Sequence, residues 1–324
     1  MRRTVTIPDA NAAKALFGPL HRHVALIHDA FRRGESYLVD IRVAGNEVAL
    51  ESDNEPELAR AEGIFLTLIR HFDMKKRLRE GDVRAAISFS TPGEGGVVTL
   101  SDLPTLGSFT LQTPRQQRYV EAIRSESKPL VFGVGPAGTG KTFLAVTAAV
   151  EALRNGLVDR IVVTRPAVEA GERLGFLPGA LEEKVDPYLQ PIWDAFRSQM
   201  RDDELKARRE QNKIEVAPIA FMRGRTLSNA FVIVDEAQNA TIQQMKMVLT
   251  RLGQGSQMVV TGDPSQIDLA SATLSGLDHA LHLLGALKRV EVVRFTSQDV
   301  MRHDLVAEIV EAYDHDEKRR RHPS

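Results

Sequence analysis

The chain has 324 residues, 43% of them hydrophobic and 26% charged; at ~100–200 residues per domain it is long enough for two cored domains. Its 42 Lys and Arg against 43 Asp and Glu give a formal charge of −1, which excludes a histone-like polycation but not a polyanion held by a local patch. With no cysteine, disulfides, iron–sulfur clusters, thiolate zinc sites and cysteine nucleophiles are excluded. No apolar run approaches the ~18 residues that span a bilayer. Pro8, Asp9 and Asn11 interrupt what would be the apolar core of a leader, so the expected compartment is the cytoplasm.

The first elements are short and mixed. Thr4–Pro8 alternates like a strand, and Asn11–Phe17 and His21–Phe31 read as helices separated by Gly18-Pro19. Tyr37–Val43 and Glu47–Glu51 read as strands joined at Gly45-Asn46. Glu57–Phe72 reads as a helix with Asn54 or Asp53 as its cap and Pro56 in its first turn. The predicted order is β-α-α-β-β-α over a domain spanning 1–87. From Ser88 to Thr113, a cluster including Pro92, Gly93, Gly95, Gly96, Pro104 and Gly107 reads as a linker.

From 114 to 313 the pattern changes. The runs Leu130–Val134, Arg160–Thr164, Phe231–Val234, Met258–Thr261 and Val290–Phe295 are nearly continuous in apolar residues, as parallel strands buried on both faces require. Helical patterns alternate with them, which predicts an α/β domain with a mainly parallel sheet. Trp193 with Phe196 and Leu189 reads as core, and the charged stretch Arg197–Lys213 as a solvated helix or insertion. The tail from 314 to 324 is too charged to pack.

Three motifs fall at predicted strand ends, where open α/β sheets bind ligands. GPAGTGKT at 135–142 fits G-x-x-x-x-G-K-[ST] between a strand and a helix. Gly135, Pro136, Ala137, Gly138, Thr139 and Gly140 would form a loop whose N–H groups surround nucleotide phosphates. Lys141 would place its charge on the β- and γ-phosphates, and the Thr142 hydroxyl on Mg²⁺. In FVIVDEAQN at 231–239, Asp235 would hold Mg²⁺ and Glu236 would activate the attacking water. In TGDPSQID at 261–268, Gln266 carries an amide able to sense the γ-phosphate or the water, and Asp263 can pair near the metal. His21, His23, His28, His279 and His282 lack the carboxylates that would complete a metal set.

The order of P-loop, DEAQ and GDPSQ resembles motifs I, II and III of superfamily 1 helicases. TRPAVEAGERLGFLPG at 164–179, MRGRTL at 222–227 and QMKMVLTR at 244–251 more closely resemble the PhoH family of bacterial ATPases, from about Pro114 to Tyr313. That resemblance implies a RecA-like P-loop core using ATP and Mg²⁺. Only one such core is visible, so a neighbouring subunit in a homo-oligomeric, hexameric ring would complete the site. By the same resemblance Gln116, or the adjacent Gln117, would read the adenine edge, and Arg302 would contact the γ-phosphate. Arg165, Arg173, Arg223 and Arg225 are further candidates as trans fingers or polynucleotide contacts. No N-K-x-D motif favours GTP.

The β-α-α-β-β-α order is similar to a type I KH domain, an RNA-binding module that PhoH-like proteins are expected to carry. Gly18-Pro19-Leu20-His21 stands where KH domains have GXXG and lacks the second glycine. Two uses of an ATPase cycle follow. One is RNA remodelling or helicase-like work; the other is a nucleotide-gated scaffold recruiting an RNA-processing or ribosome-associated partner without unwinding.

Overall fold

In a computed structural model of the chain, the residues described are 1–90, 102–166, 181–267 and 274–301, without the side chains of 181–188. Two compact units divide at Gln117/Arg118.

The first unit opens with β1 (Arg2–Thr6), α1 (Ala10–Phe17) and α2 (Arg22–Asp29). A small ribbon follows, β2 (Arg32–Arg33) with β3 (Ser36–Tyr37), then β4 (Asp40–Ala44), β5 (Glu47–Glu51) and α3 (Glu55–Lys75). β1, β5 and β4 form an antiparallel sheet in that order, with Val5 opposite Val48 and Ile41 opposite Leu50. Strand alternation sends Val48 and Leu50 to one face, where they pack with Ile7, Leu16, Ile27, Phe31, Leu58 and Phe65. Burying each such side chain contributes roughly 1.5–3 kcal/mol. Asp9 caps α1 through the N–H groups of Asn11 and Ala12, and Asn54 caps α3 through that of Glu57, with Pro56 in the first turn as predicted.

The stretch expected to be linker is partly regular structure. α4 (Glu80–Ser90) buries Val83, Ala85, Ala86 and Phe89, and β6 (Thr105–Leu106) with β7 (Phe109–Thr110) makes a hairpin turning at Gly107. Thr110 donates to Asp82 at 2.5 Å, so this hairpin belongs to the first unit. The predicted linker's Gly- and Pro-rich centre lies outside the described residues.

α5 (Pro114–Arg124) carries the chain into the second unit. There β8 (Leu130–Val134), α6 (Lys141–Arg154), β9 (Arg160–Arg165), α7 (Leu181–Arg197), α8 (Asp202–Glu210), β10 (Ile214–Pro218), β11 (Ala230–Val234), α9 (Ile242–Leu249), β12 (Gln257–Gly262), α10 (Gly276–Leu284) and β13 (Val290–Arg294) follow. Six strands form one parallel sheet in the order β10-β9-β11-β12-β8-β13. β11 is buried along its whole length, as its apolar run predicts. Trp193 and Phe196 are core, with the Arg209 guanidinium 4.2 Å over the indole ring. The charged stretch read as a solvated helix or insertion contains α8; β10, an edge strand of the sheet, follows it and was not predicted. A parallel sheet of this order, with helices packed on it, is a RecA-like P-loop NTPase core. Among the described residues no helix is long and apolar enough to cross a membrane.

Candidate functional site

β12 lies between β8 and β11, so the loops after these three neighbouring parallel strands meet at one edge of the sheet. The first is the phosphate loop. Gly135 has φ 138° and a Cβ there would sit 2.5 Å from the Phe295 carbonyl oxygen, so glycine is required. Gly138 and Gly140 take φ 82° and 83°. The Gly135 N–H donates to Gly262 O at 3.1 Å, and the Phe295 N–H to Val134 O at 2.8 Å, which stitches the loop's base to both flanking strands. α6 then starts with no side-chain cap, leaving its first N–H groups aimed into the loop.

Lys141 is 8% exposed. Its ammonium donates to Gly135 O at 2.6 Å, Pro136 O at 2.7 Å and Thr139 Oγ1 at 3.3 Å. Burial lowers its pKa from the ordinary lysine value, while Asp263, Glu236 and Asp235 act in the opposite direction. The cation is therefore held by the loop it would share with a phosphate, in a position that an anion can compete for.

Asp235 ends β11 and is 4% exposed. Its Oδ1 accepts from Thr142 Oγ1 at 2.6 Å and from Thr261 Oγ1 at 2.7 Å, and its N–H donates to Thr164 O at 2.9 Å. A carboxylate and a hydroxyl in contact at the mouth of a phosphate loop are hard oxygen donors of the kind Mg²⁺ takes alongside phosphate oxygens. The residues present fit that ion.

Glu236 stands at φ 50°, a left-handed conformation uncommon outside glycine. Gln238 Nε2 donates to its Oε2 at 2.5 Å, and Arg165 Nη2 lies 3.6 Å from its Oε1. Gln238 is 1% exposed, and its Oε1 accepts the Asp263 N–H at 3.0 Å. One amide thus ties the carboxylate after β11 to the loop after β12. Asp263 reaches on: its Oδ2 accepts the Ala137 N–H of the phosphate loop at 3.2 Å, and its Oδ1 accepts from Ser265 Oγ at 2.6 Å. Gln266 is exposed and lines a cleft of about 250 Å³ with the phosphate loop, Asp235, Glu236 and Asp263.

The structure thus brings together residues 137, 138, 140–142, 235, 236, 263 and 266 on one cleft. Gly135, Pro136 and Thr139 stand beneath it on Lys141 and the flanking strands. Gln116 sits in the first turn of α5, in the first unit; it is buried, with its Oε1 accepting the Gln112 N–H at 2.8 Å. Arg302 lies outside the described residues, though its neighbour Met301 donates its N–H to Gly138 O at 2.8 Å. Arg173 also lies outside them. Arg225 is paired with Glu215 at 2.5 and 2.7 Å. Among the described residues no group of three His, Asp or Glu could hold a metal by itself.

Sequence reasoning assigned no role to Gln238, Thr261 or Tyr119. Gln238 stood in the quoted DEAQ, two residues beyond the acidic pair, which was the available signal. Tyr119 is fully buried beneath the loop with its hydroxyl donating to Lys141 O at 3.4 Å; burial, then the charge of Asp235, raise its pKa well above the usual phenol value.

The chain is similar to a PhoH-like protein of Mycobacterium tuberculosis (strain ATCC 25618 / H37Rv), 48% identical over 282 residues, 85% of this chain and 78% of that one. It is also similar to a PhoH-like protein of Bacillus subtilis (strain 168), 55% identical over 207 residues and 64% of each chain. Protein PhoH of Escherichia coli (strain K12) is 46% identical over 200 residues, 61% of this chain and 56% of that one. Among solved structures, the Pif1 helicase from Candida albicans aligns at 13% identity and a TM-score of 0.34, over 63% of this chain and 43% of that one. The family described as PhoH-like protein matches residues 108–314, a span that holds every strand of the parallel sheet and all three loops of the cleft, and the chain belongs to that family.

Proposed function

We propose that this protein is a Mg²⁺-dependent ATPase whose cycle drives RNA remodelling. The observation that carries the reading is the convergence of Lys141, the Thr142–Asp235 pair and the Glu236–Gln238–Asp263 chain on one cleft.

Each residue has a task suited to its position. Lys141 exchanges its loop carbonyls for the β- and γ-phosphate oxygens, and its depressed pKa rises as it gains an anion. Thr142 and Asp235 hold Mg²⁺, which when bound neutralises charge on the transferring phosphoryl group. Glu236 takes the proton of the attacking water, with Gln238 fixing which way its carboxylate faces. Gln266, exposed on the rim, reports γ-phosphate occupancy. Arg302, following the anchored Met301, or an arginine from a neighbouring subunit in a ring, completes the charge stabilisation.

RNA enters from the KH-like order of the first unit. One observation favours the second reading, a nucleotide-gated scaffold. In the loop standing for GXXG, Leu20 and His21 take left-handed backbone angles, φ 50° and 60°, and Leu20 is fully exposed. That loop is a poor copy of a backbone clamp.

The test is steady-state ATP hydrolysis with and without single-stranded RNA. Lys141→Ala and Glu236→Gln are expected to abolish turnover, with Glu236→Gln still binding nucleotide. RNA raises kcat if the cycle drives remodelling and leaves it unchanged in the scaffold. Near wild-type turnover by Glu236→Gln would remove Glu236 from the mechanism.

A further inference from the structure

A second polar cleft lies wholly within the first unit, at the junction of α3 and α4 with hairpin β6–β7. It measures about 220 Å³. Lys75, Arg77 and Arg79 line it, with Phe109 across from them on β7 and His71 and Asp82 also in its wall.

The backbone explains why alternate residues face it. α3 ends at Lys76, whose φ of 53° breaks the helix, and α4 begins at Glu80. Residues 75–79 therefore turn a corner. Lys76 points elsewhere and pairs with Asp73 at 3.6 Å. Nearby Arg22 and Arg84 both pair with Glu80, at 2.9 and 2.8 Å. The side chains of Lys75, Arg77 and Arg79 are exposed and have no carboxylate partner among the described residues. Three cations without an ion-pair partner among the described residues thus crowd one cleft on a chain whose formal charge is −1.

The wall beneath them is braced. Asp82 is buried and accepts Thr110 Oγ1 at 2.5 Å and the Arg79 N–H at 2.8 Å, with His71 Nε2 at 3.4 Å. These contacts tie β7, the turn and α3 together. Asp82 is the one carboxylate lining the cleft among the described residues, and it lies buried beneath the rim, so three cations there face a single negative charge. His71 is buried as well, and its Nδ1 has no hydrogen-bond partner among the described residues.

We infer that this cleft, and not the Gly18–His21 loop, is where the protein holds single-stranded nucleic acid. The inference rests on the reading of the protein as an RNA-engaging ATPase. A groove lined by cations with an aromatic side chain beside them is the chemistry that takes single strands: the cations track the phosphodiester backbone and the ring stacks on a base. A free phosphate would call for an enclosed seat of backbone N–H groups. Here the cations stand exposed on a rim, open to a polymer that enters and leaves. Lys75, Arg77 and Arg79 contact phosphates, and Phe109 stacks on a base.

The experiment is fluorescence anisotropy of a labelled single-stranded oligouridine of about 12 nucleotides, titrated with the full chain over a series of salt concentrations. Each phosphate contact contributes about 0.7 to the slope of log K against log salt for single strands. The triple variant Lys75→Ala/Arg77→Ala/Arg79→Ala is expected to lose affinity by about tenfold or more and to flatten the slope by about 2. Phe109→Leu keeps an apolar side chain but removes the ring; it is expected to weaken binding roughly tenfold at an unchanged slope, because stacking releases no counterions. Thermal unfolding confirms that both variants are folded. If wild type binds and the folded triple variant binds with the same affinity and slope, the cleft is not the site, although the RNA reading stands. If wild type does not bind the oligonucleotide with or without ATP, the RNA reading falls and this assignment with it.

Discussion

Gln238 offers the sharpest test of the cleft, because two substitutions separate its two bonds. Gln238→Leu removes both. The Asp263 N–H is left buried without its acceptor, which costs about 1–3 kcal/mol. At about 2–4 °C per kcal/mol for a unit of this size, the melting midpoint should fall by roughly 2–12 °C. Gln238→Glu keeps the acceptor for Asp263 but replaces the donor to Glu236 by an oxygen. At 2.5 Å, two carboxylate oxygens share a proton or swing apart. Two charges ~4 Å apart repel by about 4 kcal/mol at an effective dielectric constant of 20. The Glu236 side chain is 37% exposed and faces Arg165, so solvent and the guanidinium reduce this to about 1–2 kcal/mol. That is about one pH unit on the second ionisation of the pair. The sign is fixed: a neighbouring like charge favours the protonated carboxyl, and a water-activating Glu236 must be ionised. The acid limb of kcat should therefore move up by about one unit in Gln238→Glu and by less in Gln238→Leu, with kcat reduced roughly tenfold or more in both. Steady-state hydrolysis across pH reads all of this. Wild-type kcat in both variants, or an acid limb that moves down in Gln238→Glu, would falsify the coupling of Glu236 to Gln238.

Two further outcomes concern stability. Gly135→Ala must place its Cβ against the Phe295 carbonyl at a backbone angle that L residues avoid. Overpacking and the φ penalty together come to about 2–5 kcal/mol, so the melting midpoint of the second unit should drop by roughly 4–20 °C; a drop under ~2 °C would mean that the loop relaxes freely. Asp82 behaves differently. Burial raises its pKa, but hydrogen bonds from His71, Thr110 and the Arg79 N–H outweigh burial and hold it below the usual carboxylate value. A depressed carboxylate stabilises the fold above its unfolded pKa of about 3.9 and loses that contribution as pH falls through the lower folded value. Urea midpoints should therefore show Asp82→Asn about 1–2 kcal/mol less stable than wild type near pH 7, with the gap narrowing as the pH falls below the unfolded value of about 3.9; a gap that does not narrow on acidification contradicts the assignment.

Much of the cleft could be read from the sequence, for a physical reason. A phosphate loop is built from backbone angles and close approach, so its function is written into residue type at fixed spacing: glycine where a Cβ would collide, lysine and threonine at the helix start. The same holds for Asp235 and Glu236 at the end of an apolar strand. Gln238 was less visible. Its role depends on β12 lying beside β11, which brings the Asp263 N–H within 3.0 Å, and strand order is not a local property. β10 and α4 were missed for related reasons. β10 is a short edge strand with only Ile214 buried and its other four residues partly exposed, so it is easily taken for the end of the charged segment before it. α4 closes at Ser90, just short of the Gly- and Pro-rich stretch, so composition drew the linker boundary back into a helix.

The cationic cleft shows the limit of sequence reading most clearly. Lys75, Lys76, Arg77 and Arg79 look alike as a run of charge, and a run of charge is usually a solvated face. Only the left-handed break at Lys76 sorts them, turning one away toward Asp73 and leaving three on the same cavity. Their pairing is equally invisible along the chain. Glu80 is the nearest acid in sequence to Arg79, yet it is taken by Arg22 and Arg84, and Asp82 is buried under Thr110 and His71. A patch with three cations to one carboxylate therefore arises on a chain of formal charge −1 because Glu80 is taken by Arg22 and Arg84. The GXXG-like position gives the converse case. There the sequence order points to a nucleic-acid clamp, while the loop presents a fully exposed leucine and two left-handed non-glycine residues. An order of elements that resembles a KH domain in the sequence does not fix where charge gathers, and in this chain three cations line the α3–α4 corner.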